Sequence, residues 1–374
     1  MRTVRRLLYL DIVSSVVFVV LSFLALFYFI DLVDELDRMS RVGAGVAMAA
    51  LLALTELPGH FYELFPIAVL IGTIYSMARM AQSSEFTILR TGGLGPQRAL
   101  GLLANLGLVF AVLTFVVGDY AAPYFDRQGD VLRARLTGGP GAGNGGAWLK
   151  DRQATPQGEH SFSVNVGRAR PSGDLQDVRI YEFNAKGGLV ARIEAKKAGV
   201  NAQGLWHLSD VLRTDWLQQP GAETKASTPL VSETHLPTLD WQSSLHAGVI
   251  AAAVLPASSM STVELYRYIK HLSEQEQSAQ AHTLQFWRKA IYPFACLVMV
   301  ALALPFAYLH GRSGGISLKV FGGIMLGISF IIMNNVAGHI GLLKNWTPWL
   351  VSATPSLIYL AISLAAFGWL VRYR

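Results

Sequence analysis

Ile12-Val-Ser-Ser-Val-Val-Phe-Val-Val-Leu-Ser-Phe-Leu-Ala-Leu-Phe-Tyr-Phe-Ile30 is a stretch of 19 residues without a charged side chain, and its reading decides the fold. A bilayer core is crossed by about 20 apolar residues in a helix, so this stretch is long enough to span a membrane. The basic segment Met1-Arg-Thr-Val-Arg-Arg6 before it resembles the start of a signal peptide. A cleavable apolar segment, however, is only about 7–15 residues long and ends at small residues. Here Asp31, Asp34, Glu35 and Asp37 follow, so we read a retained first span.

Working outward, comparable runs at 60–80, 100–120, 290–310, 317–340 and 349–371 give six predicted spans, three on either side of a polar insert. The composition agrees: 52% of residues are apolar and 15% charged, against about 25% charged in soluble domains. The single cysteine, Cys296, excludes an intrachain disulfide and falls inside an apolar run. A net charge of +6 would suit nucleic acid if it were clustered, but it is spread as membrane proteins spread it. Arginine and lysine in short loops set orientation. With the N-terminus inside, Arg2, Arg5, Arg6, Arg79, Arg90, Arg98, Arg312, Lys319, Arg372 and Arg374 are cytoplasmic, while the short outer loops hold Arg38, Arg41 and Lys344. Ten against three predicts both termini in the cytoplasm and no nucleic-acid role.

The insert, 121–257, opens with Arg-rich polar sequence and a flexible Gly138–Gly146 stretch. It then alternates in short segments, His160-Ser-Phe-Ser-Val-Asn-Val166, Val178-Arg-Ile-Tyr-Glu-Phe183 and Leu189-Val-Ala-Arg-Ile-Glu194, separated by turn residues. Period-two alternation between turns predicts an antiparallel sandwich or barrel, placed outside the cytoplasm by the charge bias. From Ser259 to about Arg288 the pattern is that of one amphipathic helix, with Leu265, Ile269 and Leu272 on one side. The division is thus 1–120 with spans one to three, 121–257 as the β-domain, and 258–374 with a connecting helix and spans four to six.

The loop Ala81-Gln-Ser-Ser-Glu-Phe-Thr-Ile-Leu-Arg-Thr-Gly-Gly93 holds the first functional candidates. Ser83 or Ser84 is placed to cap a short helix with Glu85 in its first turn, and Gly92-Gly93 to end it. Phe86, Leu89 and Arg90 project from it at helical spacing. Such a helix is either an amphipathic connector on the membrane surface or a coupling helix that seats in a partner's groove by an acidic anchor.

Three spans, an external β-domain and three spans, with an Ala-Gln-x-Ser-Glu loop, resemble the lipopolysaccharide transport permease family LptF/LptG over nearly the whole chain. Phe29-Ile-Asp-Leu-Val-Asp-Glu-Leu36, Leu57-Pro58, Phe65-Pro66 and Gly118-Asp-Tyr-Ala-Ala-Pro123 carry the resemblance, as do Leu265-Tyr-Arg-Tyr-Ile-Lys-His-Leu272 and Trp287-Arg-Lys-Ala-Ile-Tyr-Pro293. The last third is more similar to the LptG branch. The resemblance implies a β-jellyroll in the periplasm and a bacterial inner-membrane location. It also implies a non-catalytic permease subunit of an ABC-type exporter that extracts lipopolysaccharide from the membrane. The implied partners are an LptB-type ATPase dimer, a homologous LptF-type permease and an LptC-type periplasmic protein. No cofactor is expected on this chain, ATP and Mg being the ATPase's, and no Gly-x-x-x-x-Gly-Lys-Ser/Thr loop occurs in it. Ser84, Glu85, Phe86, Leu89 and Arg90 become the ATPase-coupling residues, with Glu85 as the contact.

Basic residues at the outer ends of spans one and three hold the lipid's phosphates in that family, and Arg38 and Arg133 match such positions, with Arg41 and Arg135 close by. Asp31 and Asp37 depart from the pattern, standing where LptG often has lysine. Two readings compete with export: a membrane-anchored periplasmic enzyme, and a scaffold without ATPase coupling. Against the enzyme, His160, His207, His235 and His246 are scattered through the insert. Gly311-Arg-Ser-Gly-Gly315 matches a nucleophile-elbow pattern but lacks the strand-turn-helix setting that motif needs. Glu56, His60 and Glu63 share a helix face and are read as a polar interfacial face rather than a metal site.

Overall fold

The computed structural model describes residues 2–92, 95–137, 147–155, 158–169, 175–201, 204–217, 230–246, 249–250, 259–274, 279–308 and 315–373. Gly138–Gly146 and the Gly311–Gly314 part of the elbow-like motif lie outside them. The chain forms two compact units, Met1–Gly129 with Gln280–Arg374, and Asp130–Ala279. The class is a helical membrane protein with a β-sheet inserted between its helices.

In the first unit α1 (Arg2–Val42) and α2 (Val46–Gln82) form an antiparallel hairpin. Gly43, at φ +75°, ends α1, and the amides of Gly43 and Ala44 return to the carbonyls of Ser40 and Met39. A left-handed glycine that lets the next amides fold back is a common helix stop. Leu8, Ile12, Val16 and Val20, spaced at one helical turn, form the buried stripe of α1. They meet α2, the central helix, whose residues 65–74 are buried throughout. The hairpin is tightest at Gly72, where an added Cβ would lie 2.7 Å from the Cα and backbone nitrogen of Val16. Small residues let helix backbones approach this closely where lipid supplies no hydrophobic driving force.

After α3 (Glu85–Thr91), α4 (Pro96–Val116) passes through a π-helical turn, Val117–Ala121, into α5 (Ala122–Thr137). Pro123 has no amide for the Asp119 carbonyl, and the turn shifts the bonding so that the Ala122 amide reaches Val117. At Gly118 the ring of Tyr62 occupies the place of a side chain, 2.2 Å from an ideal Cβ. Helix therefore continues well past residue 121, where the sequence suggested only polar lead-in.

Two helices also replace the single amphipathic one expected over 259–288: α6 (Thr262–Glu274) and α7 (Gln280–Ile291). α7 and α8 (Phe294–Tyr308) form the fourth span, bent by 49°. Pro293 sits at the break and cannot continue the amide ladder. α9 (Ile316–Leu343) packs on α2 through Gly323 and Gly327, where an added Cβ would come within 2.6 Å of Ile74 and 2.8 Å of Ile67. α10 (Pro348–Tyr373) completes the bundle. Among the described residues five helices are long and apolar enough to cross a membrane, or up to six where the bent pair counts as one span.

The second unit holds β1 (Ala147–Thr155), β2 (Gly158–Ala169), β3 (Leu175–Phe183), β4 (Leu189–Val200), β5 (Leu205–Leu217) and β6 (Leu230–Gln242). All pair antiparallel in chain order. β1 to β5 alternate a buried set, such as Phe162, Val164 and Val166, with a more exposed one, and β6 adds the partly buried Leu236, Leu239 and Trp241. The sheet is rolled. Phe162 of β2 and Trp241 of β6 stand four strands apart, about 19 Å in a flat sheet, yet their ring centroids are 5.5 Å apart. Asp151 of β1 fastens the roll by accepting hydrogen bonds from the hydroxyls of Ser243 (2.7 Å) and Ser244 (2.6 Å), and Gln153 donates to the Gln242 carbonyl. Gly204, at φ +81°, lets the Ser243 carbonyl pass 2.2 Å from where a Cβ would be. α6 starts with a capping box: Glu264 accepts from the amide and hydroxyl of Ser261, and Ser261 Oγ accepts from the Glu264 amide.

Candidate functional site

The α3 end of the bundle is built from the last turn of α2. Ser83 does not cap α3; its amide goes back to the Arg79 carbonyl and its hydroxyl to the carbonyls of Arg79 and Met80. Ser84 takes a left-handed conformation at φ +62°, and its carbonyl accepts the amide of Ile88. That kink turns the chain between α2 and α3, at a cost of about 1–2 kcal/mol for a non-glycine residue. Leu89 packs against the bundle core, while Glu85 and Ile88 are exposed. The side chains of Phe86 and Arg90 lie outside the described residues. Gly92 closes the helix with its amide on the Ile88 carbonyl.

The same end is cross-linked by a group the sequence reading missed. Arg79 of α2 is paired with Asp11 of α1, and Ser76 donates to that carboxylate at 2.5 Å. Asp11 is only 13% exposed, so the pair is shielded more than a surface ion pair would be. Its signal in the sequence was faint: one acid just before one apolar run, and one arginine closing another.

At the opposite end of the hairpin, His60 Nε2 lies 2.8 Å from Asp31 Oδ2, with the Phe27 ring 4.8 Å from the imidazole. Glu56 lies on the same face of α2; Glu63, expected beside it, is exposed, and its carbonyl accepts the Tyr292 hydroxyl. Arg38 and Arg41 are largely exposed but answered within α1, Arg38 by Glu35 at 3.1 Å and Arg41 by Asp37 at 2.5 Å. In the other unit Arg133 lies 3.5 Å from Asp130, and Arg135 is exposed. Of these only Arg41–Asp37 is exposed on both sides and worth about 0–1 kcal/mol, whereas the Glu35 carboxylate that holds Arg38 is buried. Arg288 of α7 donates to Asn335 of α9. An apolar cavity of about 500 Å³ lies between α4, α8 and α10, lined by Leu103, Phe294, Leu297, Ala301, Leu357 and Leu360 among others.

The sequence profile described as "Lipopolysaccharide export system permease LptF/LptG" matches residues 6–370. The chain belongs to the LptF/LptG lipopolysaccharide export permease family. It is 25% identical over 353 residues to the lipopolysaccharide export system permease protein LptG of Escherichia coli K12, covering 94% of this chain and 93% of that one. It is 26% identical over 309 residues to LptG of Haemophilus influenzae, covering 82% and 81%. Both relatives are of the LptG type, as the last third of the sequence suggested. An LptF/LptG-family chain is a permease subunit of lipopolysaccharide export, which the six spans and inserted β-domain fit.

Proposed function

We propose that this permease is the non-catalytic LptG-type half of an ABC-type exporter in the bacterial inner membrane. On this reading an LptB-type ATPase dimer seats on α3, with Glu85 as the charged contact and Ile88 and Leu89 beside it. A homologous LptF-type permease completes the membrane cavity, an LptC-type protein joins at the periplasmic side, and lipopolysaccharide leaves over the β-domain. Both termini then face the cytoplasm, which the arginine and lysine bias supports. The ATPase's motion travels from α3 into α2, and through Arg79 and Asp11 into α1.

The observation that carries the reading is the shape of α3: a short helix held by Leu89 on the core, kinked at Ser84, with Glu85 left to solvent. The exposed Ile88 beside that acid gives a partner's groove an apolar contact next to a charged one. The rolled sheet supports the export path in a similar way. β1 and β6 are the end strands of its ladder, the kind of position at which a neighbouring sheet adds a strand.

Purification of the tagged chain is expected to bring down a Walker-motif ATPase, and Glu85→Lys to abolish that association with the membrane fold intact. Loss of a charged hydrogen-bonding group costs about 1.5–3 kcal/mol, roughly a tenfold to hundredfold weakening. If Glu85→Lys retains full ATPase binding and lipopolysaccharide release, α3 is not the coupling helix. An enzyme or scaffold would purify without any ATPase.

A further inference from the structure

Asp31 on α1 and Glu56 and His60 on α2 bring two carboxylate oxygens and one imidazole nitrogen within 4.8 Å of one another. We propose that these three side chains are a divalent-metal site of the zinc class, bridging the first two spans at the Asp31 end of their hairpin. The inference stands apart from the reading of α3 and would survive its failure.

Glu56 and His60 are four residues apart, so they rise from one face of α2 a turn apart. Helical pairs at that spacing chelate a metal without distorting the backbone, as two histidines do in zinc proteases. Asp31 arrives from the other helix, the first residue past the uncharged run of α1, and the close hairpin packing fixes its distance. The imidazole is backed by Phe27, whose ring lies 4.8 Å away, so its plane is set before any ion arrives. Asp31 and His60 side chains are 12% and 22% exposed, shielded from bulk water but reachable.

The distances suit a small ion. Zinc bonds nitrogen and oxygen at about 2.0–2.2 Å in a tetrahedron, which puts neighbouring ligand atoms roughly 3.3 Å apart. His60 Nε2 and Asp31 Oδ2, now 2.8 Å apart, need to open by only about half an ångström, a small side-chain rotation. The donor set selects the metal class. Magnesium and calcium prefer oxygen ligands throughout, and copper(I) prefers sulfur, whereas imidazole with carboxylate suits zinc and its first-row neighbours. Two carboxylates balance the ion's charge, and three protein ligands leave a position open for water or an anionic oxygen.

The test uses the full-length protein in detergent, stripped with chelator and titrated with zinc against a chromophoric competitor, and with cobalt, whose visible absorption reports its ligands. One tightly bound ion per chain and a low-symmetry cobalt spectrum are expected. Asp31→Asn keeps an acceptor for the His60 N–H but loses the carboxylate, and Glu56→Gln is similarly conservative. Each should weaken binding at least about tenfold, and His60→Ala should abolish the cobalt spectrum. His207→Ala, in the exposed His207–Asp240 pair of β5 and β6 (2.6 Å), should change nothing. The proposal is overturned if the wild-type chain binds less than one equivalent at micromolar free zinc, or if the Asp31 and Glu56 variants bind as it does. In either case Asp31 and His60 are only a hydrogen-bonded pair.

Discussion

Replacing Gly72 with alanine adds one methyl at the tightest point of the α1–α2 hairpin. That carbon would sit 2.7 Å from the Cα and nitrogen of Val16 and 2.8 Å from its Cγ2. Carbon contacts rest at about 3.5–4.0 Å, so α1 has to back away by roughly 1 Å. The atom in the way is backbone and cannot rotate aside. A gap of 0.5–1 Å forfeits about a quarter to a half of each dispersion contact along the stripe of Leu8, Ile12, Val16 and Val20. Overpacking of this kind costs about 1–3 kcal/mol, while alanine's helix propensity returns about 0.8–1.0 kcal/mol. Gly101 and Gly322, whose added Cβ would meet nothing within 4 Å, keep the propensity gain without the clash. We therefore expect Gly72→Ala to be about 1–3 kcal/mol less stable than Gly101→Ala, and Gly72→Leu worse again. Reversible unfolding in mixed detergent micelles measures all four variants on one scale. Equal stability for Gly72→Ala and Gly101→Ala would refute the argument, because the hairpin would then yield freely where it looks locked.

In a Cys296→Ala background, cysteines at Arg90 and Ser313 should resist an impermeant thiol reagent in spheroplasts while one at Ser172 reacts; labelling at 90 would invert the topology. Arg38→Glu combined with Arg133→Glu should abolish photo-crosslinking to lipopolysaccharide in proteoliposomes, with partial loss from either change alone, since each reversal repels a phosphate where the family resemblance implies one is held. Undiminished crosslinking would remove the arginines from the lipid site. His271, buried against the β-domain, is held below the ordinary histidine pKa by burial, with Asp151 and Glu274 opposing that shift and His246 adding to it. The unfolded chain takes up the proton first, so the stability this group contributes is complete above about pH 6.5 and is lost as pH falls through the lowered folded value. The amide-exchange protection factors over Leu265–Leu272, corrected for the intrinsic rate at each pH, should fall on acidification by at most about tenfold per pH unit, and His271→Leu should flatten that dependence.

What the sequence disclosed and what it withheld divide along a physical line. Spans depend on local apolar length, so runs such as Ile12–Ile30 announce themselves, and strands such as His160–Val166 are visible by their period of two. α5 escaped because its Asp126, Arg127, Asp130, Arg133 and Arg135 look like a solvated loop, although they continue a helix already nucleated by α4. The roll of the sheet depends on Phe162 meeting Trp241 and on Asp151 reaching Ser243, pairings that no local window contains. Around the site candidates, the short helix that begins at Glu85 was legible because its signals are local. The contacts of Asp11 with Arg79 and of Asp31 with His60 join different helices and needed the fold. Of the two serines offered as caps, Ser83 binds back into α2 and Ser84 stands directly before α3, with a left-handed turn that capping propensity does not announce.

α1 runs unbroken from Arg2 to Val42 with no proline, and its closest approach to α2 falls at Val16. At 1.5 Å per residue the helix extends roughly 21 Å to one side of that contact and 39 Å to the other. It is a first-class lever with unequal arms. A tilt of about 5° about the Val16–Gly72 fulcrum displaces Arg2 by about 2 Å and Val42 by about 3–4 Å. A displacement at the Arg2 end of the short arm, which also carries Asp11, is thus delivered at Val42 as a stroke almost twice as large. The Asp31 end of the hairpin is carried on that long arm.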